Sequence, residues 1–136
     1  MSRDAEHIEQ ALLFQWSEHA RGRYPELALL YAIPNGVHRH IAVARKLKAE
    51  GVKAGVPDVC LPVPRGKFHA LYIELKAGKN KPTREQLGWL DALREFGNAA
   101  TWVTGWEAAA AEIESYLRPP FEAGHPSPNI RTGESR

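Results

Sequence analysis

The sequence predicts one α/β domain in which a mixed β-sheet is flanked by helices. Short apolar runs of strand length alternate along the chain with longer segments whose apolar residues recur at helical spacing. Two of the strand-like runs follow one another across a Pro-Arg-Gly-Lys turn, which predicts an antiparallel hairpin within the sheet. A chain of 136 residues is long enough for one domain with a core and too short for two ordinary ones.

The first half of the chain predicts a helix, a strand and a second helix. The segment AEHIEQALLFQWSEHA carries apolar residues at helical spacing, and Gly22 and Pro25 end it. The run ELALLYAI is short and apolar and is bounded by Pro25 and Pro34, so it predicts a strand, followed by a turn at Pro-Asn-Gly. The segment HRHIAVARKLKAEG predicts a helix that is basic on one side and stops at Gly51.

The second half predicts the hairpin, a helix, a strand and a last helix. The runs DVCLPVP and FHALYIELK form the hairpin, and the prolines in the first run indicate that its strand ends early or lies near an edge. In KPTREQLGWLDALREFG, Thr83 is the expected N-cap, Gln86 completes a capping box and Gly97 is the stop. AATWVT and GWEAAAAEIESYL then predict the last strand and the last helix.

Composition divides the chain into a folded domain over residues 1–117 and a tail over residues 118–136. The tail is rich in Pro, Gly and Ser and has few apolar residues, so we expect it to be disordered. No apolar run approaches the length that spans a membrane, and the charged N-terminus lacks the apolar stretch of a signal peptide. The single cysteine, Cys60, cannot form an intrachain disulfide, which favours a reducing cytoplasm.

Positive charge is concentrated in the middle of the chain, although the net charge is only +2. Residues 38–53 hold five Lys or Arg and one acid, and residues 65–84 hold six Lys or Arg and one acid. This distribution suits a polyanionic partner such as nucleic acid. The simpler interpretation is a solvated face with scattered counter-charges, and charge alone favours that simpler interpretation.

Three charged residues lie in or beside the apolar runs of the hairpin. Glu74 and Lys76 are two positions apart in LYIELK, so both side chains point to the same face of the strand as Tyr72. Asp58 opens the neighbouring strand of the same hairpin. We therefore expect two carboxylates to converge with an ammonium group beside them, although burying such charges is unfavourable unless they are paired or bind something.

This constellation has two interpretations that spacing alone supports equally. Two carboxylates held close repel each other, and a hard divalent ion such as Mg²⁺ removes that repulsion. A metal so held can activate a water and stabilise charge on a phosphate, and a lysine nearby can assist, which is what phosphodiester hydrolysis needs. The other interpretation is an ion pair between Lys76 and Glu74 at the edge of the sheet.

The segment GVPDVCLPVPRGKFHALYIELKAGKNKPTREQLGWLDALREFG resembles the VRR-NUC family of the PD-(D/E)XK nuclease superfamily. The shared pattern is Gly-x-Pro-Asp, then Glu-x-Lys at a strand end, then a Ser or Thr and a Gln that open a helix. Upstream, EHIEQALLFQW resembles the first helix of the family, AIPNG its following strand and turn, and LKAEGVKAGVPD its approach to the aspartate. The resemblance covers nearly everything from Glu6 to Leu117 and strongly favours the catalytic interpretation.

The resemblance implies a restriction-endonuclease-like core and a metal-dependent nuclease site. Asp58 and Glu74 would be ligands of Mg²⁺ or Mn²⁺, the backbone carbonyl of Leu75 would complete the coordination by the protein, and Lys76 would be the catalytic lysine. Glu6 would be the acid of the first helix, which holds the metal directly or through water, and Glu9 competes with Glu6 for this position.

The resemblance also assigns Gln86 to the glutamine on the helix that follows the Glu-x-Lys strand. Gln86 is four residues from Leu90, so it lies on the buried face of that helix, where its amide needs a partner. The catalytic site offers such a partner, and the capping box with Thr83 offers another. Both roles are compatible.

The expected substrate is DNA. The residues expected to contact it are Asn35, Arg39, Arg45, Lys46, Lys79 and Arg84. Small standalone members of the family resemble nucleases of phages and mobile elements and are similar to junction resolvases that act as homodimers. We therefore expect a homodimer that cleaves branched DNA such as four-way junctions, in the cytoplasm of a bacterial or phage-infected cell.

Two other classes of function remain open at this stage. A non-catalytic nucleic-acid-binding protein could keep the same fold and bind DNA without cutting it, although the presence of Asp58, Glu74 and Lys76 argues against this alternative. A protein whose charged groups are only structural would bind neither metal nor DNA.

Overall fold

The computed structural model describes residues 3–34 and 41–118, and the structural statements below refer to these residues. Four α-helices, one short 3-10 helix and four strands follow one another in the order that the sequence predicts, with one correction. The elements are α1 (Arg3–Ala20), the 3-10 helix (Pro25–Leu29), β1 (Tyr31–Ala32), α2 (Ile41–Ala49), β2 (Val59–Leu61), β3 (Leu71–Lys76), α3 (Arg84–Glu95), β4 (Ala99–Thr104) and α4 (Trp106–Leu117).

The four strands form one mixed sheet in the order β1-β2-β3-β4. Strand β2 is antiparallel to both of its neighbours, β1 and β3, whereas β3 and β4 are parallel. The predicted hairpin is confirmed, because Val59 pairs with Ile73 and a bridge between Arg65 and Phe68 closes the turn. Strand β2 ends at Leu61, directly before the first proline of its run, since proline has no N–H group for the ladder. The mixed α/β class is therefore confirmed.

The strand predicted over ELALLYAI is wrong for its first part. Pro25–Leu29 forms a 3-10 helix, and only Tyr31–Ala32 pairs with β2. Pro25 has the backbone φ that a first helical turn needs. Leu27 and Leu30 are buried while the two residues between them are exposed, which is the three-residue spacing of a 3-10 turn packed on a core. Packing therefore overrides the strand preference of this apolar run.

The main core lies between the sheet and the pair α1 and α4. Leu13 of α1 and Ile113 of α4 are fully buried in one cluster with Ile73 of the sheet. The hydroxyl of Tyr116 donates a hydrogen bond of 2.6 Å to the carbonyl of Val63, which ties α4 to the hairpin. This layer fixes the first helix against β3, which places the N-terminal turns of α1 near the end of that strand.

Helix α3 packs against β4, and Leu90 is its fully buried residue. The guanidinium of Arg94 donates from Nε to the carbonyl of Ala100 at 2.8 Å, and the ammonium of Lys81 lies over the ring of Trp102. Side chains alternate along a strand, so Ala100 and Trp102 face away from the cluster that holds α1 and α4. The sheet is thus flanked by helices, as predicted.

Helix α2 contributes no buried residue to the fold. It runs over Ile41–Ala49, within the predicted segment, and Ile41 and Val43 are exposed. Gly51 has φ +102° and its N–H donates to the carbonyl of Lys48, so the predicted stop is observed. The part of this segment before Ile41 lies outside the described residues.

Two further expectations concern the tail and membrane-spanning segments. The predicted tail over residues 118–136 lies outside them except for Arg118, which follows the last helix. Across residues 3–34 and 41–118, none of the helices combines the length and the apolar character that crossing a bilayer requires.

Candidate active site

Asp58 is held at the start of β2 by the backbone on both sides. Its Oδ2 accepts a hydrogen bond of 2.7 Å from the N–H of Leu75 on β3. Its carbonyl accepts one of 2.8 Å from the N–H of Ile33 beside β1. Pro57, directly before it, is fully buried. These contacts fix the carboxylate beside the C-terminal end of β3.

Glu74 and Lys76 lie on β3, the strand between β2 and β4, and both are buried. The residues are 2% and 6% exposed. The Nζ of Lys76 is 3.4 Å from Oε2 of Glu74. The other oxygen, Oε1 of Glu74, is buried and has no hydrogen-bond partner among the described residues. A buried carboxylate oxygen without a partner is unfavourable, so this position is suited to a ligand that donates to oxygen or coordinates it.

The two carboxyl groups of the site have raised pKa values. Burial, and after it the nearby Asp58 carboxylate, raise the pKa of Glu74 to about 8 against the opposing effect of Lys76. Burial likewise raises the pKa of Asp58 to about 6, against the hydrogen bond from Leu75 and with a contribution from Glu6. With both carboxyl groups ionised, the site would hold more negative charge than Lys76 compensates, and a bound cation would favour that ionised state.

The residues present fit a hard divalent ion. Asp58, Glu74 and the carbonyl of Leu75 offer oxygen atoms, which are the ligands that Mg²⁺ and Mn²⁺ prefer. In the part of the chain that the structure describes, no three His, Cys, Asp or Glu side chains form a group that could hold a metal ion. An ion here would thus depend on the two carboxylates, backbone oxygen and water. The unpartnered oxygen of Glu74 is the observation that supports the fit.

The structure separates the two acidic candidates of α1. The Oε2 of Glu6 is 3.8 Å from Nζ of Lys76 and accepts a hydrogen bond of 3.0 Å from Nδ2 of Asn80. Glu9 instead uses Oε1 to accept a 2.8 Å hydrogen bond from the N–H of Trp106, at the first residue of α4. Glu6 therefore lies at the site, and Glu9 caps another helix.

Gln86 forms the predicted capping box with Thr83. The N–H of Gln86 donates to Oγ1 of Thr83 at 3.1 Å, and the N–H of Thr83 donates to Oε1 of Gln86 at 2.9 Å. Both hydrogen bonds satisfy backbone donors at the start of α3, as this motif requires. The capping role is confirmed, and a role of the amide at the site stays a prediction.

The predicted DNA-contacting residues lie on two segments or outside the described ranges. Arg45 and Lys46 are exposed on α2, and Lys79 and Arg84 are exposed on the segment from the end of β3 to the start of α3. Two further predicted contacts, Asn35 and Arg39, fall outside the described residues.

Asn80 is a residue at the site that sequence reasoning missed. It is half-buried, and its side chain contacts Glu6, which lies 74 positions earlier in the chain. The available signal was an amide in the AGKN turn, four residues after Lys76. That signal is weak, because asparagine is common in turns for local reasons.

Comparisons with known proteins agree with this fold. The family model of the VRR-NUC domain matches residues 4–106, a range that includes Glu6, Asp58, Glu74 and Lys76. A solved structure of a VRR-NUC domain protein superimposes with a TM-score of 0.71, covers 87% of this chain and 92% of that chain, and is 27% identical in sequence. Comparison with curated proteins gives no match.

The family match covers most of the chain, and so does the structural match. The resemblance found in the sequence and the predicted fold class are both confirmed. A domain of this type is a nuclease domain, which supports a nuclease function with DNA as substrate. The chain belongs to the VRR-NUC family.

Proposed function

We propose that this chain is a divalent-metal-dependent endodeoxyribonuclease that hydrolyses phosphodiester bonds in DNA. The observation that carries the proposal is the buried Glu74 carboxylate, whose Oε1 lacks a partner, beside Asp58 and Lys76. A purely structural ion pair would need one carboxylate for the ammonium. Here the acids outnumber the ammonium, as an ion-binding nuclease site requires.

Each residue of the site has a proposed role. Asp58, Glu74 and the carbonyl of Leu75 would hold Mg²⁺ or Mn²⁺, with Glu6 contributing directly or through water. When bound, the ion supplies an activated water and neutralises charge on the phosphate. The ammonium of Lys76 donates to the attacking water or to the developing negative charge on the phosphate.

The proposed DNA contacts are electrostatic. The exposed basic side chains on α2 and after β3 would bind the sugar–phosphate backbone, which gives affinity without sequence selection. Gln86 could serve the site from the start of α3 in addition to its capping role. The complete proposed set of DNA contacts is Asn35, Arg39, Arg45, Lys46, Lys79 and Arg84.

The finer proposal is a homodimer that selects branched DNA such as four-way junctions. Two symmetric sites suit a branched substrate with two equivalent strands. A cytoplasmic location is part of the proposal and rests on the single cysteine, Cys60.

The first test compares cleavage of a synthetic four-way junction and a linear duplex of matching sequence. Both are incubated with Mg²⁺, with Mn²⁺ and with chelator, using wild type, Asp58→Asn and Asp91→Asn. Asp91 is a matched control, because it is an exposed acid on α3 that pairs with Arg94. We expect cleavage that needs metal, falls by at least about 100-fold in Asp58→Asn and is unchanged in Asp91→Asn.

Each result decides one part of the proposal. Equal cutting of junction and duplex would remove the branched-DNA selectivity and keep the nuclease. Salt-sensitive binding to DNA without cutting would favour the non-catalytic binding protein. A chain that sediments as a monomer at the concentration where it cuts junctions would contradict the homodimer.

A further inference from the structure

The ammonium of Lys76 lies between two carboxylates at comparable distances. Its Nζ is 3.4 Å from Oε2 of Glu74 and 3.8 Å from Oε2 of Glu6. The same Glu6 oxygen accepts the 3.0 Å hydrogen bond from Nδ2 of Asn80. One oxygen of Glu6 is thus shared by the amide of Asn80 and the ammonium of Lys76, in a site that is largely closed to solvent.

Asn80 is itself held firmly where β3 leads into α3. Its N–H donates to the carbonyl of Ala77 at 3.1 Å, which closes a turn directly after the strand. Gly78 within this turn has φ +58°, a conformation that glycine adopts without strain. Because the turn begins next to Lys76, the position of the Asn80 amide is set by the same strand that carries the lysine.

We infer that Asn80 is a positioning residue whose amide holds Glu6 against Lys76, so that the ammonium is shared between two carboxylates. This inference rests on the proposed nuclease function and adds a residue to it. A glutamate side chain has several rotatable bonds, and the amide restricts Glu6 to the rotamer seen here. Without that restriction the ammonium would be drawn towards Glu74, its nearer partner, and away from the position where it assists hydrolysis.

The contact does more than attach α1 to the sheet. One turn further along α1, Glu9 accepts the N–H of Trp106 at 2.8 Å and anchors the same part of the helix to α4. Leu13, on the following turn, is fully buried in the core. Loss of the Asn80 amide should therefore leave α1 in place and change the orientation of the Glu6 carboxylate.

The test is a double-mutant cycle on single-turnover cleavage of DNA with saturating protein. The variants are Asn80→Ala, Glu6→Gln and the double variant, with DNA affinity measured separately in chelator. We expect Asn80→Ala to lower the cleavage rate constant about 10- to 100-fold while the Kd for DNA changes less than about twofold. Because Asn80 acts through Glu6, the double variant should cleave as slowly as Glu6→Gln alone.

Two further variants separate the hydrogen bond from side-chain size and from general stability. Asn80→Asp keeps the size and loses the amide donor, so it should lower the rate at least as much as Asn80→Ala. Asn98→Ala removes another turn amide, which donates from Nδ2 to the carbonyl of Leu93 at 3.1 Å near the end of α3. Asn98→Ala should lower stability and leave the rate per folded molecule unchanged.

A second readout does not depend on activity. Urea unfolding of the metal-free protein through a second cycle, with Glu6→Ala in place of Glu6→Gln so that no acceptor remains, should show that the effects of Glu6→Ala and Asn80→Ala are coupled by at least about threefold in the unfolding constant. Additive effects on unfolding would overturn the proposed contact. An active wild type whose rate is unaffected by Asn80→Ala would overturn the inference alone, whereas a wild type that cuts no DNA would overturn the nuclease function and the inference with it.

Discussion

At the scale of single residues, the site brings together acids that are buried or half-buried. Glu74 is 2% exposed and lies beside Asp58, and Lys76 is the ammonium that the structure places between Glu74 and Glu6. Burial and mutual repulsion raise the pKa of both Glu74 and Asp58. The buried acids that the proposed function requires therefore lower the stability of the metal-free fold.

The pH dependence of stability follows from these raised pKa values. The ordinary values of 4.5 for Glu74 and 3.8 for Asp58 rise to about 8 and about 6 in the folded chain. The folded state thus holds more protons than the unfolded state between the ordinary and the raised pKa values. The stability that these protonated carboxyl groups contribute is fully present below pH about 4 and is lost as the pH rises to about 8. We expect the free energy of unfolding of metal-free protein to fall by on the order of a few kcal/mol across this pH range.

Urea unfolding at a series of pH values measures this contribution, with Glu74→Gln as the comparison. The variant should show a shallower fall than wild type. Under the proposed function Mg²⁺ would bind the ionised pair, so adding Mg²⁺ should flatten the wild-type curve. Asp91→Asn, a change at an exposed acid, should leave the curve unchanged. Parallel curves for wild type and Glu74→Gln would contradict the assignment.

At the scale of elements, two polar contacts hold helices where the site needs them. Glu9 of α1 caps α4 through the N–H of Trp106, and the capping box of Thr83 and Gln86 begins α3. The segment before Asp58 is also tightly placed, because it passes close to α3 at Gly55. These contacts join elements that are distant in sequence, so each can be tested by its effect on stability.

The capping box predicts a defined loss of stability at α3. Thr83→Ala removes the side-chain acceptor and should lower the free energy of unfolding by about 1 kcal/mol, because a backbone donor of the first turn loses its partner. Chemical denaturation measures the loss, and the rate of DNA cleavage per folded molecule should not change. Gln86→Ala should show a similar loss of stability, and only a role at the site would lower its cleavage rate further.

Gly55 tests the close approach of the loop before Asp58 to α3. A Cβ at Gly55 would lie 2.9 Å from Cγ of Glu85 and 3.0 Å from Cδ1 of Trp89, and φ there is +90°. Gly51 is the matched control, with φ +102° and nothing within 4 Å of a Cβ. Gly51→Ala should lower stability by about 1 kcal/mol from backbone strain alone, and Gly55→Ala should lower it clearly more. Equal losses in thermal or urea unfolding would contradict the close contact.

At the scale of the whole molecule, positive charge is concentrated in a way that suits a polyanionic partner. The net charge is +2, yet residues 38–53 and 65–84 hold eleven of the eighteen Lys and Arg residues. The described part of this set lies on α2 and in the loop after it, in the hairpin turn, at the end of β3 and on the segment from there up to and including the first residue of α3. Steering of a polyanion towards the Asp58 and Glu74 site is the physical consequence that we propose.

Salt dependence measures this electrostatic contribution. Binding to DNA should weaken steeply as salt rises, and Lys46→Ala should reduce the slope of log K against log salt by about one. Arg21→Ala is the control, because Arg21 pairs with Glu18 just beyond the far end of α1, about 20 Å from Glu6 along the helix. Fluorescence anisotropy of labelled DNA, measured with a chelator present, gives the slope for each variant. An equal effect of the two variants would show that α2 does not contact DNA.

Much of this molecule could be predicted from the sequence because the signals are local. Helical spacing, the capping box at Thr83 and the Pro-Arg-Gly-Lys turn each depend on residues a few positions apart, and all three predictions are confirmed. The approach of Asp58 to Glu74 follows from a short hairpin, since a tight turn leaves little freedom in the register of its strands. Family motifs added the expected role of Glu6, which spacing alone could not assign.

Only the tertiary structure decided what depends on distant packing. ELALL forms a 3-10 turn because Leu27 and Leu30 both reach the core, and no local pattern reveals where that core lies. Glu6 and Glu9 lie about one turn apart on α1, so only the positions of β3 and α4 show which of them is the site residue and which is the cap. The sequence thus determined the elements and the acidic pair of the hairpin, and the assembled fold determined which side chains from elsewhere meet it.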